Sequence, residues 1–168
     1  MPSNHNGSLA GRLIRVVEHN AGPLTEGVVK KLLTSPRTPA YHHLPYNDLY
    51  DRAYDVFHDL GLWLWEKSES AVRQWYNETG EKRWAEGIPL DQVLWALVLT
   101  KDHLLSSLDM HGLADSAVEL YQQQEFDRVI GHFFDRAVCY TAEGYAHRAA
   151  VRRPGANGVP SRTAVVRT

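Results

Sequence analysis

A single cysteine, Cys139, is present in 168 residues, so an intramolecular disulfide is excluded. That fits a reducing compartment. No apolar run approaches the roughly 18 residues of a membrane span. The opening MPSNHNGSLAGRL lacks the apolar core of a secretion signal. The expectation is a cytoplasmic protein with no membrane partner. Neither sign of charge is in excess: the net charge is −2, so bulk electrostatics predict no nucleic-acid partner. Also missing are a P-loop, a glycine-rich dinucleotide turn, an HExxH pair and a zinc-spaced cysteine set. Cys139 has no recognisable His–Asp partners and reads as a small buried hydrophobe. No nucleophile or acid–base pair can be nominated, so the expectation is no enzyme and no catalytic residue. Sustained period-two alternation, the signature of a half-buried strand, does not occur. The length suits one domain, and the reading is all-α with six or seven helices.

The most apolar stretch is Ile88–Leu108, IPLDQVLWALVLTKDHLLSSL. On a helical wheel Leu90, Leu94, Leu97, Leu104 and Leu108 form one stripe, so a central buried helix starting at Pro89 is predicted, with Leu94 and Leu97 fully buried. Lys101 interrupts the stripe and is expected to snorkel. Before it, a helix capped by Ser8 runs to the Asn20–Pro23 break, and a second, capped by Thr25, carries Val28, Val29, Leu32 and Leu33. A third starts at Asn47 or Asp48, its stripe running from Leu49 to Leu64. Tyr50, Tyr54, His58 and Trp65 share a flank of it with Gly61, where another backbone can approach. A fourth, capped by Ser68, turns Val72, Trp75 and Tyr76 inward and stops at Gly80. After Gly112 come a short helix over Leu113–Gln122 and a long last helix from near Glu125, with Phe126, Val129, Ile130, Phe133, Ala137 and Tyr140 on one stripe. The domain is expected over 8–150. Residues 1–7 form a disordered N-terminus, and 151–168 a disordered basic tail containing Arg152, Arg153, Arg162 and Arg167.

Nine histidines raise a haem or metal reading. An axial ligand should project from an apolar helix face. His58 lies at the margin of its stripe, His103 and His132 lie off theirs, and His147 stands where its helix fades. Di-iron bundles need Glu-x-x-His pairs on two helices, whereas Asp55-x-x-His58 is the nearest approach here and has no second copy. The expectation is no metal and no cofactor, with a haem- or metal-binding sensor as the alternative. The tryptophans Trp63, Trp65, Trp75, Trp84 and Trp95 cannot all face one core, so some are expected to face a partner or pocket. Tyr54, His58, Trp65 and Trp95 are the ligand or interface candidates.

The pattern Tyr76-x-x-x-Gly80-x-x-Arg83, then Gly87-Ile88-Pro89-Leu90, then Val93-Leu94-x-Ala96-Leu97, resembles the N-terminal domain of stressosome co-antagonist proteins, the RsbRD N-terminal family. The upstream LPYNDLYDRAYDVFHDLGLWL resembles that family's third-helix region, and Leu13–Leu33 is compatible with its opening helix pair. The likeness spans residues 9–148. It implies a globin-like, usually non-haem regulatory or sensory module in stress-response signalling. Such a module dimerises, binds protein partners of a signalling pathway, and commonly precedes an output domain. Here only the basic tail follows Arg148, so no output domain is expected. The residues alone give Gly80, Gly87 and Pro89 a geometric role as helix stop and start, with Arg83 pinning the connection to a helix end or a carboxylate.

Overall fold

The computed structural model describes residues 9–66, 68–109 and 116–151, all of them helix or short connection, with no strand among the described residues. Six α-helices occur among them: α1 (Leu9–His19), α2 (Ala21–Thr34), α3 (Tyr46–His58), α4 (Glu69–Ala85), α5 (Leu90–Asp109) and α6 (Ala117–Val151). A 3-10 turn, Pro39–His43, links α2 to α3, and a wide π turn, Leu62–Glu66, follows α3. None of these helices is long and apolar enough to cross a membrane. The Ser8 cap, Gly112 and the 152–168 tail lie outside the described residues.

Local chemistry moves several boundaries. The break before α2 is one residue, Asn20, because Pro23 falls in the first turn of α2, where its missing N–H removes no bond. Thr25 is therefore no cap; it is buried within α2 and its hydroxyl donates to the Ala21 carbonyl at 2.7 Å. Ser68 does cap α4, its hydroxyl accepting from the Ala71 N–H. The third helix does not run to Leu64. Its α-helical turns end at His58, and the Gly61 N–H bonds the Glu18 carboxylate at 2.9 Å. What approaches Gly61 is thus a side chain of α1, not another backbone. Leu60, just before the π turn, and Trp63 within it enter the core, while Trp65 is exposed. The short helix read over Leu113–Gln122 is not separate from the last one: Ala117–Gln122 are the first turns of a continuous α6.

The central helix exists, but its buried face differs from the leucine stripe. Val93, Ala96, Thr100, Leu104 and Leu108 are buried, whereas Leu94 and Leu97 are only partly so. The inward face is rotated from the stripe by roughly 55° on the wheel. The small Ala96 and Thr100 lie on this inward line, and the larger leucines flank it. Lys101 then sits at the margin and reaches out to Asp135 at 3.7 Å. On α6 the same correction is smaller. Phe126, Ile130, Phe133, Phe134, Ala137, Thr141 and Gly144 are buried, while Val129 is 39% exposed and Cys139 is exposed rather than a core residue.

The closest packing is between α4 and α6, which run in the same direction. Arg73 pairs with Glu143, and further along His147 meets Glu81 at 3.2 Å; Glu69 takes Arg136 and the Tyr140 hydroxyl. Two facing glycines permit this approach. A Cβ on Gly80 would stand 2.0 Å from the Thr141 carbonyl oxygen, and one on Gly144 would stand 2.0 Å from that of Asn77. Gly80 is therefore buried inside α4 and does not end it. The stop is Gly87, whose φ of +76° is the left-handed geometry glycine adopts without strain. Pro89 lies one position before α5, its carbonyl accepting from the Gln92 and Val93 N–H groups.

Candidate functional site

A cavity of about 410 Å³ lies between α3, α4, α5 and α6. That is within the size range of small-molecule pockets, roughly 300–1,000 Å³. Leu49, Ala53 and Val56 from α3, Val93 and Ala96 from α5 and Phe134 from α6 supply apolar wall. Asp51, Asp55 and Lys82 line it and are exposed, which marks its opening. The helices hold these side chains by the packing described above: the α4–α6 approach at Gly80 fixes one wall, and the α4–α5 connection fixes another.

That connection is tied from three sides. Arg83 donates to both Glu86 carboxylate oxygens at 2.9 and 3.0 Å, as expected for a residue pinning the turn. Arg52 of α3 grips the same carboxylate with two nitrogens at 3.0 and 3.1 Å. The Tyr145 hydroxyl of α6 donates to the Ile88 carbonyl at 2.9 Å. Burial lowers the Arg83 pKa, and the like charge of Arg52 adds to the shift. Guanidinium basicity is high enough that Arg83 stays charged. Beside the pair, burial pushes the Tyr41 phenol up to about 12.

Deeper in, the polar inventory is short. Tyr76 and Thr141 line the cavity from α4 and α6, and both are buried. The hydroxyl of each is enclosed without a hydrogen-bond partner among the described residues. Thr100, also in the wall, is satisfied by the Ala96 carbonyl at 2.8 Å. Burial raises the Tyr76 pKa, so its phenol stays neutral and can both donate and accept.

The four residues nominated as ligand or interface candidates do not line this cavity. Tyr54 and His58 do come together, in a ladder of rings one helical turn apart: Tyr46, Tyr50, Tyr54 and His58 follow one another at 6.1, 5.7 and 5.2 Å along α3. Trp65 belongs to the π turn, and Trp95 on α5 carries the Arg37 guanidinium 3.9 Å above its ring. Trp75 is not turned inward: it is 45% exposed, packs on Trp63 at 5.3 Å and borders the cavity. Of the motif residues, Arg83 lines the cavity, while Gly80, Gly87 and Pro89 shape its walls from outside.

Among the described residues no histidine lines the cavity, and no group of three or more His, Cys, Asp or Glu is placed to hold a metal. His103 is the one described histidine that is not exposed. The rotation of α5 turns it toward α2, where its Nε2 would be 2.4 Å from a Cβ on Gly27. Burial lowers its pKa below the ordinary 6.5 and the Lys31 charge adds to this, against a hydrogen bond with the Leu24 carbonyl. The unfolded chain therefore binds the proton more readily. The stability from a neutral His103 is complete above about pH 6.5 and is lost as pH falls through the folded value. The melting midpoint should fall between neutrality and about pH 5. His103→Gln, which keeps a donor but has no proton to gain, should fall less; equal slopes for the two proteins would remove His103 as the cause.

Comparison with known proteins adds no neighbour: no family model, curated protein or solved structure matches this chain. Reading the residues missed Tyr41, Arg52, Glu86 and Thr141 as parts of one site. A signal existed for Thr141, which falls four residues after Ala137 on the apolar side of α6 and is the polar residue there. Arg52 and Glu86 are 34 positions apart, and nothing local links them.

Proposed function

We propose that this chain is a non-enzymatic regulatory domain of globin-like arrangement, similar to the N-terminal domains of stressosome co-antagonist proteins. It takes up a small ligand between α3 and α6 and passes the signal on through protein contacts, as a homodimer in the cytoplasm. One observation carries the reading. The block in which the resemblance lies, Tyr76–Leu97, supplies Tyr76, Arg83, Val93, Ala96 and Leu97 to the wall of a single cavity. A ligand entering there touches four helices at once, so occupancy changes the relative cost of their packings, which is the physical requirement for a sensor. The exposed apolar side chains Val118, Leu120 and Tyr121 at the start of α6 offer area for a protein contact.

The test combines light scattering, thermal melting and hemin titration on the purified full chain. The expected result is a dimer mass, stabilisation by small apolar compounds that are not consumed, and no saturable Soret band. Chemical turnover of a bound compound would make the protein an enzyme. A one-to-one hemin complex lost on replacing His58, His103, His132 or His147 would make it a haem sensor. A monomer at every concentration would remove the dimer.

A further inference from the structure

We infer that the cavity takes an uncharged, largely apolar small molecule whose single carbonyl or hydroxyl oxygen hydrogen-bonds the Tyr76 and Thr141 hydroxyls. This rests on the reading of the cavity as a ligand site. The two hydroxyls are the argument. Tyr76 is 2% exposed and Thr141 fully buried, both border the same space, and neither hydroxyl has a partner among the described residues. A buried hydroxyl left unpaired is unfavourable, and such groups in native proteins call for a specific cause. Other buried hydroxyls of this fold are satisfied locally: Thr25 by Ala21, Thr38 by Leu32 and Thr100 by Ala96. Thr141 has the same helical opportunity and does not use it.

The surroundings select the ligand class. A hydrocarbon would fill the apolar wall but leave both hydroxyls unpaired. A carboxylate bonded to the two buried hydroxyls would need a counter-charge beside them; the lining arginines Arg52 and Arg83 both grip Glu86, and the lining lysine, Lys82, is exposed at the opening. A neutral phenol and an aliphatic hydroxyl can each donate to a carbonyl oxygen, and each can accept from an alcohol. Both hydroxyl oxygens are closed to water in the free protein, so a ligand oxygen reaches them only as the wall at Tyr76 and Thr141 parts.

Three probes of nearly one shape test this on the full chain: benzylacetone, its hydrocarbon analogue isopentylbenzene and its carboxylate analogue hydrocinnamate. Binding is followed by tryptophan emission, Trp75 being at the rim, and by the melting midpoint. Benzylacetone should bind saturably and at least about ten-fold tighter than either analogue, roughly 1.4 kcal/mol. Tyr76→Phe and Thr141→Val should each abolish that advantage without weakening isopentylbenzene, and neither should lower the melting midpoint of the free protein. Equal binding of benzylacetone and isopentylbenzene, unchanged by either substitution, would overturn the role of the hydroxyls while leaving a ligand site. Preference for hydrocinnamate would overturn the uncharged class. A lowered midpoint in either variant would mean that its hydroxyl is already bonded, which also defeats the inference. If no probe alters emission or midpoint, the ligand-site reading falls with it.

Discussion

Replacing Gly80 by alanine should destabilise the protein by about 3 kcal/mol or more, although alanine is the better helix former by about 1 kcal/mol. The new Cβ would lie 2.0 Å from the Thr141 carbonyl oxygen and 2.7 Å from the Tyr145 nitrogen. Both are backbone atoms, so no rotamer change relieves the clash; α4 and α6 must move apart. That movement opens the contact of Tyr76 with Phe133 of α6 and disturbs the cavity wall. Gly144→Ala should behave alike, because its Cβ would meet the Asn77 carbonyl at the same 2.0 Å. Gly131 is the control. It lies in the same helix with nothing within 4 Å of an added Cβ, so Gly131→Ala should stabilise by about 0.5–1 kcal/mol. Urea denaturation of the three variants decides the matter. Three curves shifted in one direction would show that helix propensity, not the crossing, governs these glycines.

Gly80 also shows where the sequence reading was strong and where it ran out. That Gly80 and Gly87 serve geometry was legible, because glycine is costly within a helix and conspicuous at its end. Which glycine serves which purpose was not. A close helix crossing and a helix stop use the same residue, and only the partner helix, some 60 positions away in sequence, separates them. The all-helical class, the capping Ser68 and the pairing of Arg83 with a nearby carboxylate followed from local rules. The face of α5 did not. Its apolar residues wrap almost the whole wheel, so counting leucines leaves the inward direction undetermined. The observed direction runs through Ala96 and Thr100, small residues that a hydrophobicity pattern weighs least. The π turn after α3 was equally invisible: the contact beside it, the Gly61 N–H on the Glu18 carboxylate of α1, joins positions far apart in sequence.

The cavity divides along the same line. Its apolar wall comes from stripes that periodicity finds, Leu49 and Ala53 on α3 and Phe134 beside the stripe on α6. Its polar groups come from positions that periodicity discards or assigns to water. Arg52 falls off the stripe that begins at Leu49, and Thr141 falls in no set. A site built where four helices converge takes one or two residues from each, so no contiguous motif announces it.

The second large effect is expected at Phe133. Its side chain is fully buried, and its ring centroid lies 5.3 Å from Phe134, 5.9 Å from Tyr76 and 6.4 Å from Trp63. The contacts to Phe134 and Tyr76 are edge-to-face, the arrangement favoured by aromatic quadrupoles. This cluster joins the π turn, α4 and α6, so it is where the irregular segment is fastened to the best-packed helix pair. Phe133→Ala should cost about 3–5 kcal/mol, from lost burial and from a void that backbone contact at Gly80 and Gly144 prevents the helices from closing. Phe133→Leu, which refills most of the volume, should cost clearly less. The near-ultraviolet circular dichroism of the tryptophans should weaken in the alanine variant, because Trp63 loses a wall. Val129, one turn earlier and 39% exposed, is the reference position: Val129→Ala should change stability by no more than about 0.5 kcal/mol. A large loss at Val129 with a small one at Phe133 would place the buried stripe of α6 on the face that points to solvent here. The aromatic cluster, the glycine crossing and the cavity wall would then all have to be redrawn together.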